Sequence, residues 1–130
     1  MNPVVHFEFP ADDRKRMIDF YEKAFGWRTK QLGEDMGNYV LVETTETENR
    51  MVKKPGAING GLYDRKMGGN ASKCPSVVIS VDDINKHLDI VKEAGGKIID
   101  KPMEIPGVGW LVSFIDTEGN VLSMMQPVAM

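Results

Sequence analysis

The sequence predicts an α+β chain made of two copies of a β-α-β-β-β module, and three observations predict it. The stretch from Val4 to Trp27 reads as strand, acidic turn, helix and glycine stop, and a weaker copy runs from Ser76 to Lys97, 70 residues later. Setting residue n against n+70 pairs Asp12 with Asp82, Asp13 with Asp83, Asp19 with Asp89, Ala24 with Ala94 and Gly26 with Gly96 as identities. Arg16 with Lys86, Ile18 with Leu88 and Phe20 with Ile90 keep the character of the position. Each copy is followed by short segments of strand type. This order buries one helix on one face of a small sheet and leaves the opposite face to be covered or to line a cleft. Function is expected on that open face.

Length and composition narrow the field. A chain of 130 residues suits one domain of two halves, with module 1 at about 1–64, a linker at about 65–74 and module 2 at about 75–130. Hydrophobic residues at 42% and charged residues at 27% are ordinary for globular proteins, and no run approaches the ~20 apolar residues of a membrane span. The start MNPVVHFEF lacks the basic segment and apolar stretch of a secretory signal, so a cytoplasmic location is expected. Cys74 is alone, which excludes an internal disulfide and a thiolate metal cluster within one chain. A net charge of -3 with scattered Lys and Arg offers nucleic acid no footprint. Small molecules and protein partners remain.

Taken in order, Val4 to Phe9 alternates as a strand with Val5, Phe7 and Phe9 on a core face and Val4, His6 and Glu8 on the other. Pro10 and the Asp12-Asp13 pair break it, and an acidic start suits the positive end of a helix. The helix runs to about Phe25 with Met17, Phe20, Tyr21 and Ala24 as an apolar stripe, and Gly26 ends it. Trp27 to Leu32 and Asn38 to Thr44 are strands around a turn bracketed by Gly33 and Gly37. Thr45 to Pro55 is a solvated loop or hairpin end. Ala57 to Tyr63 is a fourth strand in which Gly60-Gly61 marks close backbone approach.

The segment from Asp64 to Lys73 has no periodicity and reads as the linker. Then come a strand from Val77 to Val81, a helix from Asp83 to Ala94, a Gly95-Gly96 stop suited to a left-handed cap, and strands at Lys97 to Ile99, Trp110 to Ile115 and Asn120 to Met125. DTEGN from Asp116 is the last turn.

A strand ending in an Asp-rich turn, a helix carrying FYEKAFGW, a second helix ending in AGGK and a closing DTEGNVLSMMQP together resemble the vicinal oxygen chelate superfamily of glyoxalase I, bleomycin resistance proteins and extradiol dioxygenases. The resemblance implies two βαβββ modules forming a cupped mixed sheet around a pocket, commonly completed by homodimerisation. It puts His6, Gly60, Ser76 and Ser123 where metal-dependent members take their ligands. Only His6 is a usual ligand type, and one imidazole cannot supply the several donors a divalent ion needs. Neither a metal nor another cofactor is expected.

On the open face, His6 is a general base or a hydrogen-bonding residue of the pocket wall. Glu8 beside it binds a cationic or hydroxylated ligand group, or is satisfied by a lysine or arginine of a neighbouring strand. Tyr39, Trp110 and Phe114 form an aromatic wall or ordinary core, and Ser123 completes the set of expected ligand contacts. Met124 and Met125 are expected on opposite faces, and His87 on an exposed helix surface. Asp12, Asp13, Asp82 and Asp83 precede helices and are read as caps. No Ser-His-Asp order, nucleophile elbow or phosphate loop is present. The leading reading is a glyoxalase-like or bleomycin-resistance-like homodimer binding a small molecule without a complete metal site. Whether it turns that molecule over or sequesters it stays open, and a metal-dependent lyase or isomerase similar to glyoxalase I is the alternative.

Overall fold

The structure, a computed structural model, describes residues 1–49, 51–67 and 73–128. The chain divides into two compact units, His6–Pro75 and a second made of Met1–Val5 with Ser76–Met130. In the first lie β1 (Val4–Ala11) from His6 onward, α1 (Arg14–Phe25), β2 (Arg28–Gln31), β3 (Val40–Glu43), a two-stranded hairpin of β4 (Thr47–Glu48) and β5 (Met51–Val52), and β6 (Asn59–Asp64). The second holds β7 (Ser76–Ser80), α2 (Ile84–Glu93), β8 (Lys97–Ile105), β9 (Gly109–Ile115) and β10 (Val121–Pro127). Of the expected linker, Arg65–Met67 forms a single 3₁₀ turn, and 68–72 lie outside the described residues.

Both units share one topology. The strand order is β2-β3-β6-β1 in the first and β7-β10-β9-β8 in the second. In each, the first strand runs parallel to the last, β1 to β6 and β7 to β10, and the remaining pairs are antiparallel. The 70-residue repeat is thus a repeat of topology, and the β4–β5 hairpin is an addition within the first copy.

Each helix begins as its sequence dictates. The carboxylates of Asp13 and Asp83 accept the backbone N–H groups of Arg16 and Lys86, so both residues are N-caps. Asp12 instead pairs with Arg65 at 2.9 Å. At the end of α1, Gly26 takes φ 71° and its N–H donates to Glu22, with Trp27 N–H reaching Tyr21, a left-handed (αL) closure that L side chains resist. That closure lays the Trp27 ring on Tyr21, with centroids 4.5 Å apart and planes 7° apart. The FYEKAFGW motif is therefore a folding device: its glycine turns the chain so that its aromatics stack.

Under α1, buried Val40, Val42 and Leu62 pack with Phe7, Phe9, Met17, Ile18 and Trp27. The half-buried stripe of the helix runs through Met17, Ile18 and Tyr21. Phe20, expected in it, is 57% exposed, and Ala24 is exposed too. Under α2, buried Val81, Ile84, Val112 and Met124 pack with Leu88, Val91, Ile98 and Phe114. Met125 falls on the opposite strand face from Met124, as the two-residue period requires.

His87 is half-buried rather than exposed. It lines a groove with Ile79, Val81, Val91, Phe114 and Met124, because its place on α2 faces the sheet. β8 runs six residues past the expected Ile99, because a bulge with Asp100 at φ 66° shifts the register and hides the strand's alternation. Asp116 closes the last turn by accepting the N–H groups of Glu118 and Asn120, with Gly119 at φ 83°.

Removing a cap tests this account. Asp83→Ala is expected to lower the unfolding free energy by about 1 kcal/mol, read from the midpoint of urea denaturation at unchanged slope.

Candidate ligand-binding face

Alternation along β1 separates two kinds of side chain. Phe7 and Phe9 point under α1, and His6 and Glu8 point to the opposite face. The same division runs through β6, whose register sets Phe7 against Gly60 and Glu8 against Gly61. A Cβ on Gly60 would overlap the Phe7 ring, and one on Gly61 would overlap the Tyr39 phenol. Each glycine makes room for an aromatic ring, on opposite faces of one strand.

Tyr39 is delivered to this face by the turn before β3. Gly37 and Asn38 both adopt left-handed backbone, with φ 64° and 54°. The Arg14 guanidinium of α1 donates to the carbonyls of both, at 3.2 and 3.1 Å. Leu32 N–H donates to the Tyr39 carbonyl at 2.8 Å. The phenol then lies over Gly61 and joins two side chains: its oxygen is 3.0 Å from His6 Nε2, and it donates to Glu8 Oε2 at 3.0 Å.

Burial sets the proton affinities. It lowers His6 from 6.5 to about 4, so the imidazole is neutral at physiological pH. Burial also raises Glu8, opposed by the Tyr39 hydrogen bond. The Tyr39 phenol is pushed well above 10.0 by burial and then by the Glu8 carboxylate, so it stays protonated. Tyr63, on the same side of β6 as Gly61, is raised by burial and by Glu8, with Arg65 opposing and Cys74 adding.

Of the expected contacts, His6, Glu8 and Tyr39 come together, and the partner of Glu8 is a phenol rather than a lysine or arginine. The other three lie in the second unit. Phe114 is core beneath α2, because its strand position falls on the helix side with Val112. Trp110 shares that strand face, opposite Gln126, whose side chain accepts from the Ile84 N–H; the ring is 39% exposed. Ser123 is buried and hydrogen-bonded to Ser113 at 3.0 Å across β9 and β10. Phe114 is thus accounted for by packing and Ser123 by pairing within their own unit.

Sequence reasoning missed Tyr63 and Arg14. Tyr63 could have been found by extending the two-residue period from Gly61. Arg14 could not, since nothing local marks its reach to a turn 23 residues on.

The residues present do not fit a metal site. Gly60 turns to Phe7, Ser123 bonds Ser113, and His6 and Glu8 are both engaged by the same hydroxyl. Among the described residues no group of three His, Cys, Asp or Glu side chains is placed to hold an ion, and no helix is long and apolar enough to cross a membrane.

Comparison with known proteins adds four findings. The model of the glyoxalase/bleomycin resistance protein/dioxygenase superfamily matches residues 4–124. Lactoylglutathione lyase GLX1 of Arabidopsis thaliana is 26% identical over 127 residues, covering 94% of this chain and 43% of the relative, so the chain spans less than half the length of that protein. Among solved structures, a hypothetical protein from Bacillus halodurans C-125 has TM-score 0.71 at 13% identity, covering 99% of this chain and 96% of the other. A variant of Streptomyces coelicolor methylmalonyl-CoA epimerase in complex with 2-nitronate-propionyl-CoA has TM-score 0.70 at 14% identity, covering 100% and 97%.

Two outcomes check the site's construction. Gly61→Ala is expected to push the Tyr39 ring aside at about 1–3 kcal/mol of stability, with loss of the His6–Tyr39 contact in NMR spectra. Between pH 6.5 and about 4 the unfolded chain binds a proton at His6 that the folded chain does not. Acidification across that window therefore destabilises the fold, and by about 3 kcal/mol more than it does His6→Gln, in denaturation series at several pH values.

Proposed function

Because the chain belongs to the glyoxalase/bleomycin resistance protein/dioxygenase superfamily, a fold that hosts many activities, we propose that it binds a small organic molecule on the His6, Glu8 and Tyr39 face without a metal ion of its own. One observation carries the reading: the two ligand-type side chains of this face share a phenol instead of converging on a point an ion could occupy. The solved relative carrying a coenzyme A derivative supports a small molecule as the occupant of such a fold.

Glu8 sets the chemistry of the ligand. It is the acidic group among His6, Tyr39 and Tyr63, and the nearby cations are engaged, Arg14 with backbone carbonyls and Arg65 with Asp12. A cationic or hydroxylated group is the complement of such a surface. We also take the protein to act as a cytoplasmic homodimer. Phe20 and Phe25, 57% and 64% exposed, offer a second copy an aromatic face on α1, and the exposed thiol of Cys74 stays reduced in that compartment.

The match to lactoylglutathione lyase favours a second reading, a metal-dependent lyase or isomerase in which an ion polarises a substrate oxygen. It requires ligands beyond those this face supplies.

A thermal-shift screen of alkylamines, guanidines and polyols separates the readings when combined with metal analysis of the purified protein. The expected outcome is a rise in Tm with members of the panel that disappears in Glu8→Gln. A stoichiometric divalent ion that is lost in His6→Ala would sink the metal-free reading and select the lyase.

A further inference from the structure

The chain of hydrogen bonds across this face contains one phenol proton to distribute. Tyr39 gives it to Glu8 Oε2. The phenol oxygen is then an acceptor toward His6 Nε2, 3.0 Å away, so the proton of the neutral imidazole sits on Nε2. A neutral imidazole carries one N–H, which leaves Nδ1 with a bare lone pair. Among the described residues Nδ1 has no hydrogen-bond partner. No solvent-shielded side-chain nitrogen or oxygen there lacks one, so Nδ1 is not sealed from solvent. Glu8 Oε1 is open in the same sense, because the bond to Tyr39 uses Oε2.

We propose that Glu8, acting through the Tyr39 hydroxyl, holds His6 in its Nε2–H tautomer and so makes the face an acceptor pair, His6 Nδ1 and Glu8 Oε1, for a ligand bringing two hydrogen-bond donors. The inference rests on the ligand face proposed above and narrows the ligand to the polyol or amine class. His6 serves there as a hydrogen-bond acceptor and not as a proton acceptor, consistent with its lowered basicity. Glu8 is a positioning residue for the imidazole as well as a ligand contact, and Tyr39 transmits the effect.

Nitrogen NMR of ¹⁵N-histidine-labelled, ligand-free protein tests this directly. The chain has two histidines, so His87→Gln assigns the His6 signals by difference. The expected wild-type pattern has Nδ1 at its unprotonated limit and the proton on Nε2. In Glu8→Leu the phenol has lost its acceptor and turns its proton to Nε2, so the imidazole proton is expected to move to Nδ1. In Tyr39→Phe the two nitrogen signals are expected to approach each other, as in a tautomer mixture. A wild-type proton on Nδ1, or a Glu8→Leu spectrum that keeps the wild-type pattern, would overturn the proposal. An empty ligand screen would leave these tautomers unchanged, so the two readings fail separately.

Discussion

Two adjacent glycines on β6 carry the constraint on which the first unit depends. A strand presents alternate residues to its two faces, and here both faces must admit a ring that comes within contact distance of the backbone. On one side the Phe7 ring fills the space a Gly60 side chain would take, closing the core under α1; on the other Tyr39 takes the space at Gly61. The core and the polar face are therefore separated by one strand's thickness. Their geometries are set by a single parallel register, Phe7 against Gly60 and Glu8 against Gly61.

Arg14 ties the polar face to the helix on the far side of the sheet. A residue in the first turn of α1 holds the two carbonyls before Tyr39, and both belong to residues with left-handed backbone. Such backbone persists where surrounding contacts over-determine it. The same helix buries Met17 and Ile18 against the core. Packing of α1 and placement of the phenol are thus one event.

Much of the fold was legible in the sequence because its signals are local. Capping carboxylates, the glycine stop after Phe25 and the period of two in Val4 to Phe9 each act within a few residues, and the 70-residue repeat doubles their weight. The length of β8 is hidden in the sequence because Asp100 interrupts alternation in a way that reads as a loop. The helix stripe is narrower than its spacing suggests, since three- and four-residue steps admit Phe20 and only packing shows which side of the helix is covered. His6 and Glu8 can be read from β1 alone, and the sequence marks Tyr39 as an aromatic without the role of its hydroxyl. Trp110 and Phe114 stand out by residue type, whereas the face of a strand on which a ring falls depends on where the helix lies. Ser123 stands out by position, and its side chain finds Ser113 across the sheet.

The shared phenol has a kinetic meaning as well as a structural one. A cation seeking His6 Nε2 or Glu8 Oε2 meets atoms already engaged by Tyr39, and must break the hydrogen bond each makes to the phenol before that atom is released. The ring cannot step aside without leaving the recess above Gly61 that admits it. Tyr39 is in that sense a tethered competitor for these two atoms, present at an effective concentration no dissolved ion matches, and it leaves His6 Nδ1 and Glu8 Oε1 as the atoms a ligand meets.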